Sequence, residues 1–155
     1  MRMHMTKLGY TMEYKIETMA RAYGRDLPLA WKKSIELARQ LRGRTVDSAR
    51  EYLERVIALK QAVPMRTYNR WVAHKAGTGP ARYPVKAAKA FLRILESAVA
   101  NAEFTGKEDP DTMVIRVINA HKGAASKGYR PRAYGRSSQW NQDTVNLEIV
   151  LEEVA

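Results

Sequence analysis

Apolar and polar residues alternate along this chain at two different periods, and each change of period marks an element. Residues 15–25, "KIETMARAYGR", alternate weakly around Ile16, Thr18 and Tyr23, which predicts a strand near 16–24. From Leu29 the spacing becomes helical. Trp31, Ile35, Ala38 and Leu41 share one face and Gly43 follows as a stop, predicting a helix near 30–42. Thr45 is placed to cap a second helix near 46–60, where Val46, Ala49, Leu53, Val56 and Ile57 recur at three- and four-residue steps. Pro84 suits a first helical turn. The run "VKAAKAFLRILESAVANAEF" then carries the clearest stripe, Val85, Ala88, Leu92, Leu95, Val99 and Ala102, for a helix near 84–104. Two late runs, "MVIRVINA" and "TVNLEIVLEEV", are β-branched and alternating, and predict strands near 113–120 and 144–153 as the arms of a hairpin. The elements add up to one α+β domain over 1–155, with Ile35, Leu41, Leu53, Val56, Phe91, Leu92, Leu95 and Val99 in its core and Trp31 packed there too.

Two stretches break both periods. Residues 62–84 mix prolines and glycines with Arg66, Arg70, Lys75 and Arg82 and with Tyr68, Trp71 and Tyr83. This reads as an extended loop; one so long is uncommon unless a partner orders it. The second stretch, 119–142, joins the hairpin arms (113–154) through a connection far longer than the two to five residues a hairpin needs. No acidic residue lies between Asp111 and Asp143, whereas Arg116, Lys122, Lys127, Arg130, Arg132 and Arg136 all do. At about 3.3 Å per strand residue, such an arm projects tens of ångströms. An isolated two-stranded ribbon is marginal in water, and these cations repel one another. The arm calls for something negative to hold it.

Charge sharpens that expectation. The 155 residues carry a formal net charge of +11, a balance that points to a polyanionic partner, either nucleic acid or an anionic membrane surface. No apolar run reaches the length of a membrane span, and no membrane partner is expected. The start, "MRMHMTKLGY", lacks the apolar centre of a signal peptide, and a cytoplasmic location follows as the expectation. Cysteine is absent, which removes disulfides, thiolate zinc sites and cysteine nucleophiles. The histidines, His4, His74 and His121, have no metal-ligand spacing. "AGTGPAR" lacks the lysine-serine of a phosphate-binding loop. Glu108, Asp109 and Asp111 have the composition of a solvated turn, and no serine sits in a nucleophile elbow. Neither an enzyme nor a cofactor or metal site is expected.

Binding chemistry is what remains. Lys122, Lys127, Arg130, Arg132 and Arg136 can neutralise phosphates, and arginine adds planar stacking and forked hydrogen bonds. Tyr129 and Tyr134 can stack on splayed bases, and Pro131 holds the backbone extended. Arg66, Arg70, Lys75 and Arg82 form a second basic group. Trp71 and Trp140, each in polar sequence, either pack on the body or stack on a base. A plain solvated loop would not account for the missing acids. A DNA-architectural protein with a basic β-arm is the alternative, and it would put Pro131 at the extreme tip as a minor-groove wedge.

The motif "RPRAYGR" (130–136), ahead of "VNLEIVLEE", resembles the hairpin signature of the L-twenty-two family of large-subunit ribosomal proteins. The likeness extends to "GRDLPLAWKKSIELARQLRGRTVDSAREYLERV" (24–56) and to "KAGTGPARYP" (75–84) ahead of the third helix, in the archaeal manner. It covers nearly the whole chain. The resemblance implies three helices on a small three-stranded antiparallel sheet with a long extended β-hairpin. It implies a structural role in the large subunit and its assembly, with the body near the peptide exit and the arm (119–142) lining the nascent-peptide tunnel. Implied partners are large-subunit rRNA, neighbouring large-subunit proteins and the nascent polypeptide. Carried over by position, Arg130, Arg132 and Arg136 hold rRNA, and Gly123, Ala124, Ala125, Ser126 and Lys127 form the tunnel-facing tip. Two departures stand out: Ala30-Trp31 replaces the serine-proline of bacterial members, leaving the first helix uncapped, and Asn141 to Thr144 replaces a basic stretch.

Overall fold

The computed structural model describes residues 9–107 and 109–153; the methionine-rich start with His4, and Glu108, lie outside them. In chain order the elements are β1 (Met19–Leu27), α1 (Trp31–Leu41), α2 (Val46–Ile57), β2 (Val63–Pro64), β3 (His74–Lys75), β4 (Gly79–Arg82), α3 (Val85–Phe104), a 3-10 turn (Pro110–Thr112), β5 (Val114–Lys122), β6 (Tyr129–Pro131), β7 (Ser137–Gln139) and β8 (Val145–Glu152). Three helices and the expected three long strands are all present, within two to three residues of their predicted ends.

The main sheet is antiparallel with β8 in the centre, between β1 and β5. Alternate residues of β8, namely Val145, Leu147, Ile149 and Leu151, are buried on one face against the helices. On β5 the period slips. A bulge at Arg116 lets Ile115 and Ile118, three apart, both enter the core, where a regular strand would turn one of them outward. Leu37, Leu41, Leu53, Val56, Phe91 and Leu95 close the core from the helix side. The outer edge of β5 is covered by the α1–α2 connection: the Gly43 N–H donates to the Ile115 carbonyl at 2.9 Å, and the Ile115 N–H to that of Arg44 at 2.9 Å. Thr45 caps α2 by accepting from the Ser48 N–H.

The opposite sheet face is covered by the segment before β1. Glu148 is fully buried there and accepts both the N–H of Thr11 (2.8 Å) and its hydroxyl (2.7 Å), with His121 Nε2 at 3.2 Å. The Arg21 guanidinium lies over Tyr10 and Tyr14, 4.5 and 4.1 Å from their ring centres. Burial pushes the Glu148 carboxyl up, but the Thr11 hydrogen bonds and His121 outweigh it and hold the group below its ordinary value.

Three expectations need correction. The buried face of α1 is Ser34, Leu37, Ala38 and Leu41, rotated from the stripe predicted; Ile35 and Trp31 are only half-buried, as is Leu92 on α3. Polar residues share that interior because each is satisfied. The Ser34 hydroxyl donates to the Ala30 carbonyl at 3.1 Å, and Glu36 accepts the N–H groups of Thr67 (2.7 Å) and Tyr68 (3.2 Å). Residues 62–84 are the second correction, since the chain orders them itself. β4 pairs with both β2 and β3 in a small antiparallel sheet, Ala62, Val63, Met65 and Ala81 are buried, and Glu36 ties its connecting segment to α1. The third concerns the arm.

Candidate nucleic-acid interface

Beyond the main sheet, β5 and β8 continue outward as a ribbon. Ser126 bridges Gln142 with both N–H groups donating at 2.9 Å, and β6 pairs with β7 through Tyr129–Gln139, Arg130–Ser138 and Pro131–Ser137. The chain reverses at 132–136. Tyr134 (φ 58°) and Gly135 (φ 65°) both take the left-handed conformation that tight hairpin turns favour, and the Arg132 N–H donates to the Arg136 carbonyl at 2.8 Å. At about 3.3 Å per strand residue, the path from Lys122 to this turn is about 30 Å long.

The expected tip is therefore displaced. Gly123, Ala124, Ala125, Ser126 and Lys127 lie along the outgoing strand near the root of the arm, with the Gly123 N–H donating to the Thr144 carbonyl at 2.8 Å. A ribbon holds its pairing midpoint: Ser126–Gln142 and Pro131–Ser137 share Tyr134, so no turn can form at 123–127. Pro131 stands on the outgoing strand just before the turn, in reach of the tip. That position is compatible with the DNA-wedge alternative.

The glycines fit the ribbon's build. A Cβ on Gly128 would sit 2.8 Å from the Trp140 carbonyl oxygen, and one on Gly123 would collide with Thr144 Oγ1. Trp140 is 60 % exposed, and the Arg130 guanidinium lies 5.2 Å above its ring. This tryptophan packs within the arm and not on the body. Tyr129 and Tyr134 are exposed, Tyr134 almost fully.

Pairing separates some of the cations from others. On the body, Arg39, Arg50, Arg55 and Arg116 each pair with a carboxylate. Among the described residues, none of Arg66, Arg70, Lys75, Arg82, Lys122, Lys127, Arg130, Arg132 and Arg136 does, and all nine are exposed. The last five lie on the arm or its root, and the first four on or beside the small sheet, so they present two basic surfaces. Trp71 is 89 % exposed at positive φ (60°) beside the second, free of packing on the body.

Where the root of the arm meets α1 and the small sheet there is a cleft of about 590 Å³. Trp31 and Tyr68 form a corner of it, ring centres 5.8 Å apart and planes tilted by 54°. Lys122 Nζ stands 5.9 Å above Trp31 and Lys32 Nζ 5.3 Å above Tyr68. Sequence reasoning found Arg70, Arg82 and Lys122 here but missed Lys32, Lys33 and Asp143, which only the fold brings together. Ala30 stands at the start of α1 without a side-chain cap, as the departure from serine-proline implies. Among the described residues no group of acidic or histidine side chains is arranged to hold a metal, and no helix is long and apolar enough to cross a membrane.

The sequence of this chain matches the family model described as ribosomal protein L22p/L17e over residues 22–152, the segment that holds all three helices and the whole ribbon. It is 44 % identical over 155 residues to the large ribosomal subunit protein uL22 of Methanoregula boonei, covering 97 % of this chain and 100 % of the relative. The protein of the same name from Methanothrix thermoacetophila is 48 % identical over 138 residues (87 % and 90 % of the two chains), and that from Haloarcula marismortui 42 % over 149 (94 % and 96 %). With a match spanning body and arm alike, and archaeal relatives aligned nearly end to end, this chain belongs to the ribosomal protein L22p/L17e family.

Proposed function

We propose that this chain is a non-enzymatic structural constituent of the large ribosomal subunit that binds large-subunit rRNA through its two basic surfaces. The arm enters crevices of the folded RNA, and the body stays at the subunit surface near the peptide exit, beside neighbouring ribosomal proteins. The observation that carries this reading is the clustering of nine exposed cations on the arm and small sheet, none of them paired with a carboxylate among the described residues, whereas Arg39, Arg50, Arg55 and Arg116 on the body are paired within the chain. Glycines at 123 and 128 keep the ribbon thin where the backbones approach. Family membership favours RNA over the DNA-architectural alternative, which the position of Pro131 alone would leave open.

In this reading the arm lines the nascent-peptide tunnel, and the part that reaches deepest is the turn at Arg132, Ala133, Tyr134, Gly135 and Arg136. Residues 123–127 then lie nearer the body, within the RNA. Photocrosslinking from position 134 and, separately, from position 125 in assembled subunits tests the order. A stalled nascent chain crosslinking to 134 and rRNA to 125 supports it. The reverse pattern, or rRNA alone at both positions, refutes the tunnel placement.

A further inference from the structure

The cleft at the root of the arm is built unlike the rest of the basic surface. Elsewhere the cations stand on the open ribbon or on the small sheet. Here Lys32, Lys33, Arg70, Arg82 and Lys122 surround a pocket whose wall is aromatic and whose volume, about 590 Å³, falls in the usual range for small-molecule sites. Trp31 and Tyr68 are too close and too tilted to sandwich a ring between them, so they present a corner with one open face each. Only lysine ammonium groups, more than 5 Å away on flexible stems, stand over those faces. A planar ring stacking on Trp31 would replace Lys122 there and free its ammonium for a phosphate. One acidic residue, Asp143, lines the same cleft; it is exposed and forms no ion pair among the described residues. An acid among five cations is a poor feature for holding phosphate alone. It is a good one for accepting N–H groups from the edge of a base.

We propose that this cleft is a nucleotide pocket that takes one unstacked base of the bound RNA, the base against Trp31 and Tyr68, its phosphates on Lys32, Lys33 and Lys122, and its Watson–Crick edge on Asp143. Guanine fits best, because its N1–H and exocyclic amine are adjacent donors that match the two oxygens of a carboxylate. The pocket is held open from behind. Glu36 fixes the backbone of Thr67 and Tyr68, and so sets where the Tyr68 ring stands relative to Trp31. The inference rests on the RNA-binding reading above and adds to it a specific contact that a purely phosphate-bound surface would not make.

The test is chemical probing of large-subunit rRNA with the full chain, using kethoxal, which modifies the Watson–Crick edge of unpaired guanines, together with affinities measured across a salt series. With the wild-type chain, one unpaired guanine should become protected. Trp31→Leu should abolish that protection and weaken binding by roughly 5- to 150-fold, the worth of one base–aromatic stack, with the salt slope unchanged because every phosphate partner is still present. Asp143→Asn, at an exposed position where folding is not at issue, should expose the guanine and bind RNA with the same salt slope. Wild-type binding with no guanine protected, or protection that survives both substitutions, would overturn the pocket while leaving the RNA-binding reading intact. Crosslinks from position 31 that reach only protein in assembled subunits would overturn it in favour of a protein partner. A wild-type chain with no salt-dependent affinity for this rRNA would remove both.

Discussion

Replacing Glu36 by alanine would release the small sheet from α1. The Glu36 carboxylate is fully buried and accepts the Thr67 N–H at 2.7 Å and the Tyr68 N–H at 3.2 Å, with Arg39 at 3.2 Å as counter-ion. Hydrogen bonds to a charged acceptor contribute about 1.5–3 kcal/mol each. The freed N–H groups belong to exposed and half-buried residues and can regain water, and Arg39 is too exposed to add more than a fraction of a kcal/mol. The net destabilisation should be about 2–4 kcal/mol, a fall in Tm of about 5–15 °C for a chain of this size. Glu36→Gln keeps the volume and one acceptor oxygen, and should cost about half as much. Urea unfolding of the full chain measures the effect, and amide exchange at Thr67 and Tyr68 localises it. Unchanged stability in Glu36→Ala, with both amides still protected, would refute the claim that this carboxylate orders residues 62–84.

That residue also marks the boundary of what sequence pattern could reveal. The long elements were legible because each buries a periodic stripe, as Leu95 and Val99 do on α3 and Val145 to Leu151 on β8. The segment 62–84 was not, because its strands are two to four residues long, two of the three contain proline, they are too short for any period, and its anchor is a glutamate on a distant helix. The rotation of α1 was hidden for a related reason. Burial of Ser34 and Glu36 depends on partners at Ala30, Thr67 and Tyr68, and hydropathy counts both residues as outward-facing. The turn of the arm, in contrast, was within reach. The predicted strands 113–120 and 144–153 have a midpoint near residue 132, and "YG" at 134–135 supplies a positive-φ position. Composition singled out the nine cations that the fold leaves exposed and unpaired, but the cleft needed Lys32, Lys33 and Asp143 from separate parts of the chain.

Leu95→Ala should cost about 2–5 kcal/mol, since the side chain is 2 % exposed and its removal leaves a cavity; an unchanged thermal melt would take Leu95 out of the core. Gly128→Ala should disturb the ribbon by driving a methyl group into the Trp140 carbonyl, and amide exchange at Trp140, whose N–H donates to the Gly128 carbonyl at 2.7 Å, should accelerate while the body stays intact. Exchange at Trp140 as slow as in the wild type would show that the two backbones have room to part. Glu148 has its folded-state pKa below the unfolded value, so its stabilisation is complete above the ordinary carboxylate range and disappears as pH falls through the depressed one. Glu148→Gln should flatten that acid limb of the stability profile, and an identical limb in the variant would assign acid sensitivity to other groups.

The central claim is that the unpaired cations of the arm hold RNA while the paired arginines of the body do not. Its most direct measurement is the salt dependence of affinity for large-subunit rRNA, compared between the wild-type chain, an Arg130→Ala/Arg132→Ala/Arg136→Ala variant and an Arg50→Ala/Arg55→Ala control. Each phosphate that is no longer neutralised should take roughly 0.7–0.9 off the slope of log affinity against log salt. The slope of the arm variant should therefore be shallower by about 2–3, and that of the body control should equal the wild type. An arm variant with the wild-type slope, or a body control flattened as much as the arm variant, would contradict the account.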